Sequence, residues 1–321
     1  MPSFPVVRDR RPVTATAPDT LSADLGDPSP DPDGNRPVVV GIDGSEHSRL
    51  ALKWAADEAR RRGALLRVFF AEIEEPEHVP AWYAPGTPDL TAAQAVVDEA
   101  VGLVATRHPS VAVRGEVVEW PPAMVLTSAS RSAELLVVGS RGLGGFDELL
   151  LGSVSDQCIQ YAHCPVAVVH SETDDPVYRP AQPRIVVGVD GSLGSTRALR
   201  WALDEARIRS ASVEAVYAWQ YPPLHAMVMG RQHGYEVVAG ELADAARDHA
   251  ERTAPSVPFS ITDRFSATVP ALVDACHRAD LLVVGSKGHG GFQDALLGST
   301  AHQCARHARC SVVVVRPRID E

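Results

Sequence analysis

A chain of 321 residues has room for two ordinary domains, and 41 acidic against 30 basic residues give a formal net charge of -11, which argues against nucleic acid or an anionic membrane as the main partner. No run of about 18 apolar residues occurs, so no membrane span is expected. The first residues lack the apolar centre of a secretory signal and the five cysteines suit a reducing compartment, so a cytoplasmic protein is expected.

Residues 1–36 are rich in Pro, Asp, Ala and Thr without periodicity, and are expected to form a disordered tail. The apolar run Val38 to Ile42 follows, ends in Asp43-Gly44-Ser45 and reads as a strand leading into a helix over Ala51 to Arg60. Strand and helix signals then alternate: strand Leu65 to Ala71, helix Leu90 to Arg107, strand Val111 to Val118, helix Ala123 to Arg131, strand Leu135 to Gly139, helix Val154 to Tyr161 and strand Val166 to Val169. Ser171 to Pro183 reads as a linker, after which the same order returns. Ile185 to Val189 precedes Asp190-Gly191-Ser192, and helix Ala198 to Arg207 matches Ala51 to Arg60 residue by residue. Strand Val213 to Ala218, helix Val237 to Arg252, strand Ser256 to Arg264, helix Ala271 to Arg278, strand Leu281 to Gly285, helix Thr300 to His307 and strand Val312 to Val315 complete the second copy. Val-rich strands alternating with helices predict an α/β fold, two tandem doubly wound domains over 37–170 and 184–317, each a parallel sheet flanked by helices.

The strongest signal is a stretch carried twice. Gly139, Gly142, Gly152 and Ser153 recur with the same spacing as Gly285, Gly288, Gly298 and Ser299, each set following an apolar strand and opening a helix. Glycine admits close backbone approach, and a helix start offers N–H groups and a positive dipole end, so the pattern suits a phosphate. Gly and Ser also punctuate ordinary strand-to-helix turns, but repetition with unchanged spacing favours the anion. In a doubly wound sheet the ligand crevice lies beyond the carboxyl ends of the strands, where the order reverses. If the first and fourth strands are neighbours, Asp43 and Asp190 face the same crevice as the loops, to accept a ribose hydroxyl or hold a bridging Mg²⁺. The alternative is that Asp-Gly-Ser only caps the first helix.

These motifs resemble the universal stress protein family in its tandem form, over residues 37 to 316. The likeness rests on the strand ending V-G-V-D-G-S, the loop G-S-K-G-x-G-G-F and above all G-x-x-G-x9-G-S. The resemblance implies a Rossmann-like five-stranded sheet in the order 3-2-1-4-5 and an ATP-binding stress-response protein. It implies phosphate and ribose contacts at Gly139, Gly142, Gly152, Ser153 and Val154, and at Gly285, Gly288, Gly298, Ser299 and Thr300. Asp43 and Asp190 would meet ribose or metal, and the backbone of Ala71 and Ala218 adenine. Arg141 and Lys287, between the glycines, are candidates to touch phosphate, and read at least as well as solvated surface cations. Trp120-Pro121-Pro122 and Thr268-Val269-Pro270 stand where the family often has G-x-P, and the acidic Glu72 to Glu75 disfavours an anion in the first half, so the second site is expected to bind more tightly.

No Walker-type lysine arrangement and no spaced base marks an enzyme, so no catalytic residue is expected and hydrolysis is at most slow and incidental. A nucleotide-free interaction scaffold is the alternative; an adenylating or sulfur-transfer enzyme ranks third, since Asp43-Gly44-Ser45 does not match the S-G-G-x-D-S of such folds. Cys158, Cys164, Cys304 and Cys310 repeat, with Cys276 alone on another helix, and read as small packing residues. Trp54 and Trp201 read as core anchors. With the order 3-2-1-4-5 the last strands are apolar sheet edges, expected to pair internally as a pseudo-dimer, with a homodimer beyond.

Overall fold

A computed structural model describes residues 35–72, 90–142, 150–170, 182–220, 233–289 and 296–317. The tail expected over 1–36 and the linker over 171–183 lie almost entirely outside these residues, as do the middles of both glycine-rich loops. The chain divides after Val169 into two compact units.

In the first unit, β1 (Val38–Ile42) leads to α1 (Glu46–Arg62), β2 (Leu66–Ala71), α2 (Leu90–Arg107), β3 (Val113–Val118), α3 (Pro122–Ala129), β4 (Leu135–Gly139), α4 (Ser153–Tyr161) and β5 (Val166–Val169). The strands pair in the order β3-β2-β1-β4-β5, all parallel. The second unit runs through β6 (Arg184–Gly188), α5 (Leu193–Arg209), β7 (Ser212–Trp219), α6 (His233–Thr253), β8 (Phe259–Phe265), α7 (Thr268–Ala275), β9 (Leu281–Gly285), α8 (Ser299–His307) and β10 (Ser311–Val315). Its order is β8-β7-β6-β9-β10, again parallel. This is the doubly wound α/β arrangement expected from the alternation. Both faces of a parallel sheet carry helices, which is why β4 and β9 are apolar on both sides and buried almost throughout.

Element ends follow local chemistry. Ser45 caps α1, its hydroxyl accepting from Ser48 N at 3.1 Å, and Ser192 caps α5 through Ser195 N at 3.1 Å. α1 stops at Gly63, which takes the left-handed φ of 60°; the matching residue after α5 is Ser210, forced to φ 53°. The helix expected over Ala271 to Arg278 instead spans Thr268–Ala275 and ends in a 3-10 turn over Cys276–Arg278. Pro270 lies in its first turn, where a missing N–H costs nothing. The strand expected from Ser256 begins at Phe259, after a turn ending in Pro258.

One expectation changes. Trp54 and Trp201 are half-buried and do not anchor the core, which is built from residues such as Phe69, Leu66, Leu135, Leu203 and Leu281. Glu58 and Glu205 are buried instead, at 0% and 1% exposure, and compensated on their own helices. Arg61 Nη1 donates to Glu58 Oε1 at 2.5 Å, and Arg209 Nε donates to Glu205.

Ser210 holds a conformation that glycine adopts freely, so Ser210→Gly is expected to stabilise the second unit by about 0.5–1 kcal/mol. Thermal unfolding should show a rise of a few degrees, and Gly63→Ser a fall.

Candidate functional site

Because β1 pairs with β4 from Val38↔Leu135 to Val40↔Val137, their carboxyl ends lie side by side, and the strand order reverses between them. The same holds for β6 and β9, from Ile185↔Leu281 to Val187↔Val283. β2 and β7 border β1 and β6 on the other side, in registers that bring Ala71 level with the residue after Ile42 and Ala218 close to Asp190.

Immediately after β1 the chain turns through Gly44 at φ 84°, and after β6 through Gly191 at φ 81°. The turn folds each aspartate back on its own backbone: Asp43 Oδ1 accepts from Ser45 N at 2.9 Å and Asp190 Oδ1 from Ser192 N at 3.0 Å. The second oxygen of Asp190 accepts from His289 N at 3.1 Å, tying the first strand to the glycine-rich loop. Asp43 points at the equivalent place, since a methyl on Gly142 would overlap its Oδ2, as one on Gly288 would overlap Asp190 Oδ2. Burial alone would raise the Asp190 pKa, but hydrogen bonds from Ser192, Ser195 and His289 outweigh it and hold the carboxyl below its ordinary value. The aspartates therefore brace the turn and loop, while the caps themselves are Ser45 and Ser192.

The loops leave the sheet at Gly139 and Gly285. A side chain at Gly139 would come within 2.9 Å of the His47 carbonyl, and one at Gly285 within 2.6 Å of the Gly194 carbonyl, so the loop start lies directly against the first turn of α1 or α5. Arg141 is half-buried and Lys287 exposed; each sits between the paired glycines. Downstream, Gly152 N donates to Ser140 O at 2.8 Å and Gly298 N to Ser286 O at 2.7 Å, bringing the start of α4 and α8 back to the end of β4 and β9. Gly152 and Gly298 are the N-cap residues, and neither helix has a side-chain capping hydrogen bond. Ser153 and Ser299 are exposed there, with Val154 and Thr300 behind them half-buried.

Each unit thus gathers its aspartate, glycines and helix start at the carboxyl end of its sheet. Sequence reasoning passed over the buried Ser140 and Ser286, whose carbonyls close the loops and whose N–H groups reach Val169 O and Val315 O. It also passed over Ser155, which donates to Gly139 O at 2.5 Å and is replaced by Ala301 in the second unit. Aligning the two copies exposes that substitution. Among the described residues no group of three or more His, Cys, Asp or Glu is placed to hold a metal ion, and no helix is long and apolar enough to cross a membrane.

The model of the universal stress protein family matches residues 34–170 and again 183–316. The chain belongs to the universal stress protein family. A universal stress protein of Mycolicibacterium smegmatis is 33% identical over 302 residues, covering 88% of this chain and 97% of that one. One from Mycobacterium tuberculosis is 33% identical over 294 residues, covering 87% and 96%. Among solved structures, a universal stress protein of Archaeoglobus fulgidus superposes with a TM-score of 0.60 at 19% identity, over 89% of this chain and 98% of that one, and shares the fold.

Removing the carboxylate in Asp190→Ala leaves the His289 N–H without its acceptor. The loss of a charge-assisted bond should speed amide exchange at His289 by roughly 10- to 100-fold, read by hydrogen exchange, with the strands unaffected.

Proposed function

We propose that this universal stress protein binds ATP in each unit and acts as a stress-response regulator whose conformation or assembly follows occupancy. One observation carries the reading: α1 and α5 are capped by serine hydroxyls, whereas α4 and α8 begin at glycines with no side-chain cap, beside the aspartate and the loop. Uncapped first-turn N–H groups with the positive end of a helix dipole suit phosphate oxygens.

In this reading Gly139, Gly142, Gly152, Ser153 and Val154, with Gly285, Gly288, Gly298, Ser299 and Thr300, surround the phosphates and ribose. Arg141 and Lys287 add positive charge. Ala71 and Ala218 offer backbone to the adenine. Asp43 and Asp190, at the carboxyl ends of β1 and β6, meet a ribose hydroxyl or a Mg²⁺ bridge. No proton-transfer group is assigned, so the bound nucleotide serves as a signal and turnover is incidental. Occupancy shifts the protein only as far as ATP prefers one state. The last strand of each unit, and a homodimer, are the proposed sites of that readout.

The two sites should differ. Asp156 sits in the first turn of α4, where no acidic residue occupies α8, so negative charge opposes phosphate in the first unit alone.

Denatured protein should release adenine nucleotide, and calorimetric titration of the emptied protein should show two sites, the second tighter by a few-fold, in line with about 0.3–1 kcal/mol for one charge at a helix start. Gly142→Val with Gly288→Val should abolish uptake while circular dichroism stays unchanged; unaltered affinity would remove the loops from the site. If the readout runs through assembly, sedimentation with and without ATP should differ.

A further inference from the structure

The two units differ in the groove between their first and second helices. In the first, a cavity of about 190 Å³ opens between α1 and α2, floored by the buried Ile42, Leu52 and Ala100 and lined beside the Gly44 turn by Val96. In the second unit the residue beside the matching turn is Leu242. A methyl on Gly44 would lie 3.8 Å from Val96 Cγ2, whereas one on Gly191 would meet Leu242 Cδ1 at 2.7 Å. The longer side chain thus reaches into space that Val96 leaves open.

The rim of this cavity is charged. Arg49 and Lys53, one turn apart on α1, are exposed, and neither forms an ion pair with a described carboxylate. Glu99, across the groove on α2, is the one acidic residue of the lining. In the second unit Thr196 stands in place of Arg49, its hydroxyl donating to Ser192 O at 2.9 Å, so the pair of cations is lost. Ala245 replaces Glu99 there, and His249 replaces Leu103, the apolar outer wall.

We propose that the α1–α2 groove of the first unit binds a small apolar monocarboxylate, its chain in the cavity and its head against Arg49 and Lys53. The volume holds roughly six methylene-sized groups at about 30 Å³ each. Every methylene taken out of water onto the floor strengthens binding roughly fourfold. Two cations with no carboxylate partner favour an anionic head, and Glu99 opposes a second negative charge on the ligand. The site meets the Asp43 turn only at Gly44 and does not rest on the nucleotide reading.

The chain has two lysines, Lys53 and Lys287, so the second serves as an internal reference. Reductive methylation of the full-length protein with isotopically labelled formaldehyde keeps their charge and gives each a separate NMR signal. Hexanoate should shift the Lys53 signal saturably and leave that of Lys287 in place. Butanoate, two methylenes shorter, should need roughly 10- to 20-fold more for the same shift, and hexylamine should produce none. Val96→Leu, which installs the second unit's residue, should remove the hexanoate shift with thermal unfolding unchanged. If that variant misfolds, Leu103→His makes the same comparison and should raise the half-saturating concentration several-fold. Absence of a Lys53 shift, an equal response to butanoate or hexylamine, or a shift that survives these substitutions in folded protein overturns the proposal.

Discussion

Two backbone hydrogen bonds organise each half of this protein: Gly152 N–H to the Ser140 carbonyl and Gly298 N–H to that of Ser286. Each joins a helix start to the end of a strand many residues earlier, so the positive end of α4 or α8 is held against the carboxyl edge of the sheet. The strand end is fixed in turn, because Ser140 and Ser286 donate to the last strand of their unit. This closure brings the first turns of α4 and α8 to the carboxyl end of the sheet in each unit.

The aspartates brace the same corner from the other side. A part-buried carboxylate is costly unless hydrogen bonds engage it, and Asp190 is engaged by the N–H groups of Ser192 and His289. Its lowered pKa is the measure of that engagement. Glycine at 142 and 288 follows from this packing, since the carboxylate occupies the volume a methyl would need.

Much of this was legible in the sequence because it is written twice. A glycine spacing in one copy is weak as a signal, and its return after the same kind of strand marks it as a repeated element of the fold. Strand ends at Ile42 and Gly139 could be placed because apolar runs stop at Asp or Gly, whereas the ends of α7 could not, since Thr268-Val269-Pro270 reads as a loop until Pro270 is seen to fall in a first turn. The buried Glu58 escaped because Asp57-Glu58-Ala59-Arg60 looks like a solvated charge run. Its position on the stripe with Ala51 and Ala55 was the available clue, and only tertiary packing reveals that arginines from the same helix neutralise it. Hydrogen bonds of backbone to backbone, such as those closing the loops, carry no side-chain signature at all.

The turns that follow α3 and α7 show what duplication permits. Ser130 donates to Thr127 O and Cys276 to the matched Val273 O, so a hydroxyl and a thiol serve the same turn and leave the architecture intact. Every such pair of matched positions is a substitution already tolerated within one polypeptide. The two halves can therefore differ in side-chain chemistry at one turn, a hydroxyl in the first and a thiol in the second, while each keeps its fold.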